Sequence, residues 1–131
     1  MRLLLDTHVA LWAITDDPRL SDRARTLIAD GDNGVAVSAA SLWEIAIKYA
    51  LQRKGASRMP VSASVALKIF EGSGYGVLPI AAAHIQALET LPSLHTDPFD
   101  RLIVAQALSE PMRLLTHDPQ VAAYSDTVIT V

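Results

Sequence analysis

Short apolar runs alternate with longer helical patterns along the whole chain, and this alternation limits the fold more than any other feature. An uninterrupted apolar run predicts a strand that is buried on both faces, which is typical of parallel sheets. Strands that alternate with helices also favour parallel pairing, with helices covering the sheet. The predicted strands are Arg2–Leu5, Val35–Ser38, Tyr75–Pro79, Arg113–Thr116 and Thr127–Val131.

Helical patterns fill most of the chain between these strands. The predicted helices are Thr7–Ile14, Ser21–Asp30 with Ser21 as its cap, Ala40–Gln52, Ser62–Glu71, Ala81–Leu91 and Pro98–Ser109, followed by a short helical turn at Asp118–Tyr124. A polar loop is predicted from Arg53 to Pro60. We therefore expect an α/β fold, a single three-layer domain over residues 1–131 with a mostly parallel sheet of four to five strands.

Composition excludes several classes of protein. Half of the 131 residues are apolar, which excludes a disordered chain, and the absence of cysteine excludes disulfides and thiolate metal sites. No run approaches the roughly 20 apolar residues that cross a membrane, and no charged leader precedes the first strand, so we expect a cytoplasmic protein with no membrane partner. The net charge of −3 is unlike that of proteins that hold nucleic acid through a basic surface.

Acidic residues follow the predicted strands. Asp6 ends the first strand, Asp118 follows the fourth by two residues, and Glu44 lies early in the helix that leaves the second. Asp97 and Asp100 lie at the start of another helix. Open parallel sheets bind ligands beyond the carboxyl ends of their strands, so we expect these acids to converge on one crevice.

Convergence of carboxylates needs a compensating positive charge. Two carboxylates about 5 Å apart repel each other by about 3 kcal/mol at an effective dielectric constant near 20. Lys48 and Arg101 are the basic residues nearest to these acids in sequence. A site built from oxygen ligands without cysteine suits Mg²⁺ or Mn²⁺, and a divalent metal is therefore the predicted cofactor.

Each acid also has a simpler structural explanation. Asp6, Asp97 and Asp118 stand where helix caps are expected, and Asp100 would favour the dipole in a first turn. Glu44 could reach back to Ser41 in a capping box or pair with Lys48 at helical spacing. Against these explanations, Glu44 interrupts the apolar stretch Leu42–Ile47, where a buried charge needs a partner.

Four segments resemble the PIN-domain ribonucleases, in particular the VapC toxins of bacterial toxin–antitoxin systems. In order along the chain, they are Leu3–His8, Ser38–Lys48, His95–Ala107 and Leu114–Asp118. Their order and spacing are similar to those of the family, and the resemblance runs through almost the whole chain. It implies a PIN-like fold and an endonuclease that cuts RNA by metal-assisted hydrolysis and leaves a 5′ phosphate.

The resemblance also implies roles for individual residues. Asp6, Glu44, Asp100 and Asp118 take the places of the four family acids, which would be catalytic and hold Mg²⁺ or Mn²⁺. Thr116 matches a hydroxyl residue two positions before the last acid. Asp97 is assigned a supporting role, as a helix cap or an outer-sphere metal contact.

Partners follow from the same resemblance. We expect an RNA substrate, a homodimer, and a VapB-like antitoxin whose basic or apolar segment covers the acidic crevice. A basic stretch is the candidate RNA contact, with a solvated loop as the alternative; it comprises Lys48, Arg53, Lys54 and Arg58. The tryptophans are interpreted as core or subunit contacts, and the histidines as structural or surface residues.

Two other functions remain as alternatives. A non-catalytic binding module would keep the fold and use the crevice for a protein tail. An aspartyl-phosphate phosphatase or receiver-like domain would use Asp6 as the phosphorylated group, but it would need a second aspartate where His8 stands, or a lysine at a late strand end.

Overall fold

The computed structural model describes residues 1–52 and 58–131. Its strands are β1 (Arg2–Leu5), β2 (Gly34–Ser38), β3 (Gly76–Leu78), β4 (Arg113–Thr116) and β5 (Ile129–Thr130). In the described ranges they form one five-stranded sheet, ordered β3-β2-β1-β4-β5, in which every neighbouring pair is parallel. The predicted α/β fold with a parallel sheet is confirmed.

Helices connect the strands much as the sequence predicts. They are α1 (Thr7–Thr15), α2 (Asp22–Ala29), α3 (Ala39–Gln52), α4 (Ala63–Gly72), α5 (Ala82–Glu89), α6 (Pro98–Ser109) and the single turn α7 (Pro119–Ala122). The predicted cap at Ser21 is present, because its hydroxyl accepts the N–H of Ala24. Within the described ranges, none of these helices has the length and apolar character that a membrane span requires.

The sheet is buried on both faces, which explains its uninterrupted apolar strands. Leu3 and Leu5 of β1 pack with Leu115 of β4 in one core, together with side chains of α1, α2 and α4. Leu4 and Leu114 belong to the opposite core, which α6 and α7 cover. Because side chains alternate along a strand, adjacent leucines must face different cores.

A buried polar network anchors α6 near the carboxyl ends of the strands. Ser38, the last residue of β2, donates its hydroxyl to Oε1 of Gln106 and accepts the N–H of Ala40. The amide of Gln106 also donates to the carbonyl of Pro79, at 3.3 Å. Buried polar groups need such partners, so this network fixes the position of α6 relative to β2.

Candidate active site

Asp6 lies at the centre of the site, at the junction between β1 and α1. Its Oδ1 caps α1 by accepting the N–H of Val9 at 2.8 Å, and its Oδ2 accepts the hydroxyl hydrogen of Thr116 at 2.5 Å. Burial raises the pKa of Asp6 above its usual value, while these two hydrogen bonds lower it and the charge of Glu44 adds to the rise. Asp6 therefore caps α1, and it is also a buried acid whose charged form is disfavoured by burial and by the charge of Glu44.

Thr116 and Asp118 approach Asp6 from β4. The hydroxyl oxygen of Thr116 accepts the N–H of Asp118 at 3.1 Å while its hydrogen goes to Asp6. Asp118 caps α7 through Oδ1, which accepts the N–H of Gln120 at 2.8 Å. Its other oxygen, Oδ2, faces the neighbouring loop at His95.

Glu44 reaches the site from α3, and its side chain is only 4% exposed. Lys48 contacts Oε2 at 2.6 Å, so the pairing at helical spacing is present. Ser41, the other partner suggested for Glu44, accepts the hydroxyl hydrogen of Thr7 at 2.9 Å. Among the described residues, Oε1 of Glu44 has no hydrogen-bond partner. A buried carboxylate oxygen without a donor is costly, and a bound cation would satisfy it.

Asp97 and Asp100 begin α6 at the same edge of the sheet. Oδ1 of Asp97 accepts the N–H groups of Phe99 and Asp100, at 2.9 and 3.0 Å, so Asp97 caps α6. Burial raises the pKa of Asp100 to about 7, and the nearby charges of Asp97, Asp6 and Glu44 add to the rise. Asp6, Glu44 and Asp100, which come from different segments, therefore lie within electrostatic reach of one another. An oxygen of Asp118 lies within 4.8 Å of an oxygen of Asp100.

His95, which the sequence analysis interprets as a structural or surface residue, also lies in the candidate site. Its Nε2 lies 3.0 Å from Oδ2 of Asp100 and 3.2 Å from Oδ2 of Asp118. The available signal was its place two residues before the cap of α6, in the loop that enters the site. Arg101, by contrast, directs its guanidinium to the carbonyl of Pro92 and the hydroxyl of Tyr124.

The proposed basic stretch is placed only in part. Lys48 pairs with Glu44, and Arg58 is exposed, while Arg53 and Lys54 lie outside the described residues. Lys48 and Arg58 line a cavity of about 920 Å³ that extends from Glu44 along α1 and the loop after it. The same cavity is lined by Leu11 and Trp12, so it combines cationic and apolar walls beside the acids.

The side chains suit a hard divalent cation. The donors are carboxylate oxygens, which Mg²⁺ and Mn²⁺ prefer. One of them is the buried Oε1 of Glu44, which has no hydrogen-bond partner within residues 1–52 and 58–131. One carboxylate oxygen of Asp100 and one of Asp118 also lie within 4.8 Å of each other. The acid cluster is thus compatible with the predicted metal, with Lys48 supplying part of the positive charge.

Comparison with known proteins agrees with this geometry. Residues 3–126 match the PIN domain family. The chain belongs to the PIN domain family. The chain is also 34% identical, over 122 residues, to Ribonuclease VapC22 of Mycobacterium tuberculosis, covering 93% of this chain and 91% of that protein. The resemblance to VapC-type PIN domains is therefore confirmed.

Solved structures share the fold of this PIN domain. The VapBC2 complex of Rickettsia felis, bound to a promoter DNA fragment, superposes with a TM-score of 0.69 at 19% identity, covering 100% of this chain and 98% of the other. VapC20 of Mycobacterium tuberculosis, described as a toxin that cleaves the sarcin–ricin loop, superposes with a TM-score of 0.63 at 21% identity, covering 98% of each chain. At these identities the likeness concerns the fold alone.

Proposed function

We propose that this PIN domain is a metal-dependent endoribonuclease that acts as the toxin of a toxin–antitoxin pair. The supporting observation is the convergence of acids from four separate segments around a buried Glu44 oxygen that has no hydrogen-bond partner in the described part of the chain. The 34% identity to a protein named as a ribonuclease supports RNA as the substrate. A cluster of buried carboxylates is costly unless a cation neutralises it, which favours a metal-binding site.

Asp6 and Asp100 are the proposed principal metal ligands, with Glu44 and Asp118 completing the site directly or through water. A bound divalent ion would lower the pKa of a water molecule bound to it and would offset the negative charge of the phosphate. Thr116 fixes the carboxylate of Asp6, and Lys48 holds one oxygen of Glu44. The proposed reaction is hydrolysis of a phosphodiester bond that leaves a 5′ phosphate.

A cleavage assay with matched variants tests this function. Purified protein would be incubated with single-stranded RNA and Mg²⁺ or Mn²⁺, with and without chelator. We expect cleavage that requires metal, is lost in Asp6→Asn, and persists in Asp126→Asn, which changes an exposed aspartate outside the site. Equal cleavage by Asp6→Asn, or cleavage that survives chelation, would contradict the proposal, and a folded chain without any cleavage would favour the binding-module alternative.

A VapB-like antitoxin is the proposed protein partner. The cavity of about 920 Å³ leads from apolar Leu11 and Trp12 on α1 to the carboxylate of Glu44. An antitoxin segment with apolar residues and one arginine would fill the groove and neutralise the acids, as a metal does. Such a segment should inhibit cleavage, and replacing its arginine by alanine should weaken that inhibition.

A second copy of the chain is the proposed partner for α3. Trp43, Ile47 and Leu51 are 55%, 38% and 40% exposed and recur every four residues, so they form an apolar stripe on one face of this helix. Trp43 also contacts Phe99 of α6 edge to face, with the ring centroids 4.9 Å apart. Pairing through this stripe would give the expected homodimer.

RNA contact by the basic stretch remains a proposal. Arg58 is exposed beside the cavity, where its guanidinium could contact a phosphate of the substrate strand. Lys48 is occupied with Glu44, which favours a role inside the active site over a role in following the RNA backbone. We therefore expect Arg58→Ala to raise the KM for RNA most strongly at low salt, and the difference from the unchanged protein should shrink as salt concentration increases.

A further inference from the structure

His95 connects two acids that belong to different parts of the fold. Asp100 lies in the first turn of α6, whereas Asp118 follows β4. The Nε2 atom of His95 lies 3.0 Å from an oxygen of the first and 3.2 Å from an oxygen of the second. The two carboxylates repel each other, so a polar group between them opposes their separation.

The backbone of His95 is held firmly in this place. Its N–H donates to the hydroxyl oxygen of Tyr124 at 2.9 Å. Arg101 donates to the same hydroxyl at 3.2 Å and to the carbonyl of Pro92 at 3.0 Å. The loop is therefore fastened both to α6 and to the segment after α7, the two regions that supply the acids.

The orientation of the ring indicates which nitrogen carries the proton. Nδ1 of His95 accepts the backbone N–H of Thr96 at 3.0 Å, so it has no hydrogen of its own. In the neutral ring the hydrogen must then be on Nε2, the atom that faces the carboxylates. Histidines that bind metal usually show the opposite arrangement, with a lone pair on the metal and the other N–H donated to an acceptor.

We propose that His95 is a positioning residue, which holds Asp100 and Asp118 at the spacing that a divalent cation needs without binding the cation itself. The inference rests on the proposed metal-dependent function. The imidazole ring of His95 is 12% exposed. Its Nε2–H makes a well-aligned hydrogen bond to neither carboxylate, so it interacts electrostatically with both acids and does not bind one alone. Asp100 keeps its Oδ1 for the cation, whereas Oδ1 of Asp118 also accepts the N–H of Gln120 and would bind the cation through its remaining lone pair.

Metal binding without RNA gives the first test. Titration calorimetry with Mn²⁺ would compare the unchanged protein with His95→Ala, His95→Gln and Leu94→Ala, an exposed neighbour in the same loop. We expect His95→Ala to weaken binding by about 10- to 100-fold, the range found when partners of metal ligands are removed. His95→Gln should recover part of this loss, because its amide offers an N–H at similar reach, and Leu94→Ala should change nothing.

Tyr124→Phe tests the same role from a distance. This substitution removes the hydroxyl that accepts the N–H of His95 but leaves the imidazole itself in the chain. We expect a smaller loss of Mn²⁺ affinity than in His95→Ala. Circular dichroism of every variant would establish that the fold is retained, and a loss of affinity that merely follows unfolding would overturn the inference.

Pulsed electron paramagnetic resonance of bound Mn²⁺ separates positioning from direct ligation. A coordinated imidazole nitrogen produces a strong ¹⁴N coupling, and we expect no coupling that depends on His95. A ¹⁴N signal that disappears in His95→Ala would overturn the inference, as would unchanged or tighter Mn²⁺ binding by that variant.

The outcomes also separate this inference from the proposed function. If the unchanged protein binds no divalent ion, the proposed function fails together with this inference. If the unchanged protein binds the ion and cleaves RNA, and His95→Ala changes neither property, only this inference fails.

Discussion

The hydroxyl of Thr116 donates to Oδ2 of Asp6 at 2.5 Å, although the two residues are 110 positions apart in the sequence. The same hydroxyl oxygen accepts the N–H of Asp118. One small side chain thus connects two acids of the candidate site and fixes the direction of its own hydrogen. This contact gives the hydroxyl at the end of β4 a structural role in the candidate site.

Removing the Thr116 hydroxyl should harm both stability and metal binding. Thr116→Val keeps the volume but leaves a buried carboxylate oxygen without its donor, so we expect a loss of about 1–3 kcal/mol in the free energy of unfolding. Urea denaturation in chelator would measure it. Thr116→Ser is the matched control and should retain most of the stability and RNA cleavage. Equal values for all three proteins would contradict the role of this hydrogen bond.

Glu44→Gln should separate stability from activity. The substitution removes one negative charge that raises the pKa values of Asp6 and Asp100, so the metal-free protein should gain stability, on the order of 1 kcal/mol. The same variant should bind Mn²⁺ more weakly and cleave RNA more slowly. Glu89→Gln, on the exposed end of α5, is the control. A variant that is both less stable and fully active would refute this expectation.

The stability of the metal-free protein should fall as pH rises towards neutrality. The pKa of Asp100 is raised from 3.8 to about 7, so the folded state binds a proton that the unfolded state has already lost in this window. The resulting stabilisation is complete below about pH 4 and disappears as pH rises through 7. Urea denaturation in chelator between pH 4 and 8 would show the trend, and Asp100→Asn should reduce its slope. A slope unchanged by that substitution would contradict the assignment.

A charge in the α3 stripe should dissociate the proposed homodimer. Ile47→Glu places a carboxylate in the middle of the stripe formed by Trp43, Ile47 and Leu51, and burying it at an interface without a partner would be costly. Analytical ultracentrifugation should then show a monomer. Val65→Glu, at a comparably exposed site on α4, should remain dimeric. A dimer that persists in Ile47→Glu would place the subunit contact elsewhere.

The sequence predicted most of the fold because its local signals agree with one another. The buried leucines of β1, the cap at Ser21 and the Asp97-Pro98 helix start each specify an element that the structure contains. The edge strands β3 and β5 are shorter than predicted. Each has only one neighbouring strand, so the ends of its apolar pattern are not held in the sheet by hydrogen bonds on a second side.

Candidate site residues were harder to assign than elements. The simple explanations and the functional ones turned out to be compatible, because Asp6, Asp97 and Asp118 all cap helices. A helix cap at the carboxyl end of a parallel strand lies at the ligand-binding edge by construction. Capping therefore could not serve as an argument against a role in metal binding.

The sequence by itself determined the alternation of buried strands and helices, and with it the edge where acids from distant segments meet. Tertiary structure alone decided which atoms share a contact: Oε2 of Glu44 with Lys48, the Thr116 hydroxyl with Asp6, and His95 between Asp100 and Asp118. The physical reason is the distance over which the two kinds of interaction act. Hydrophobic periodicity and capping act over a few residues, whereas the protonation and pairing of a buried acid depend on every charge and dipole that folding brings within several ångströms.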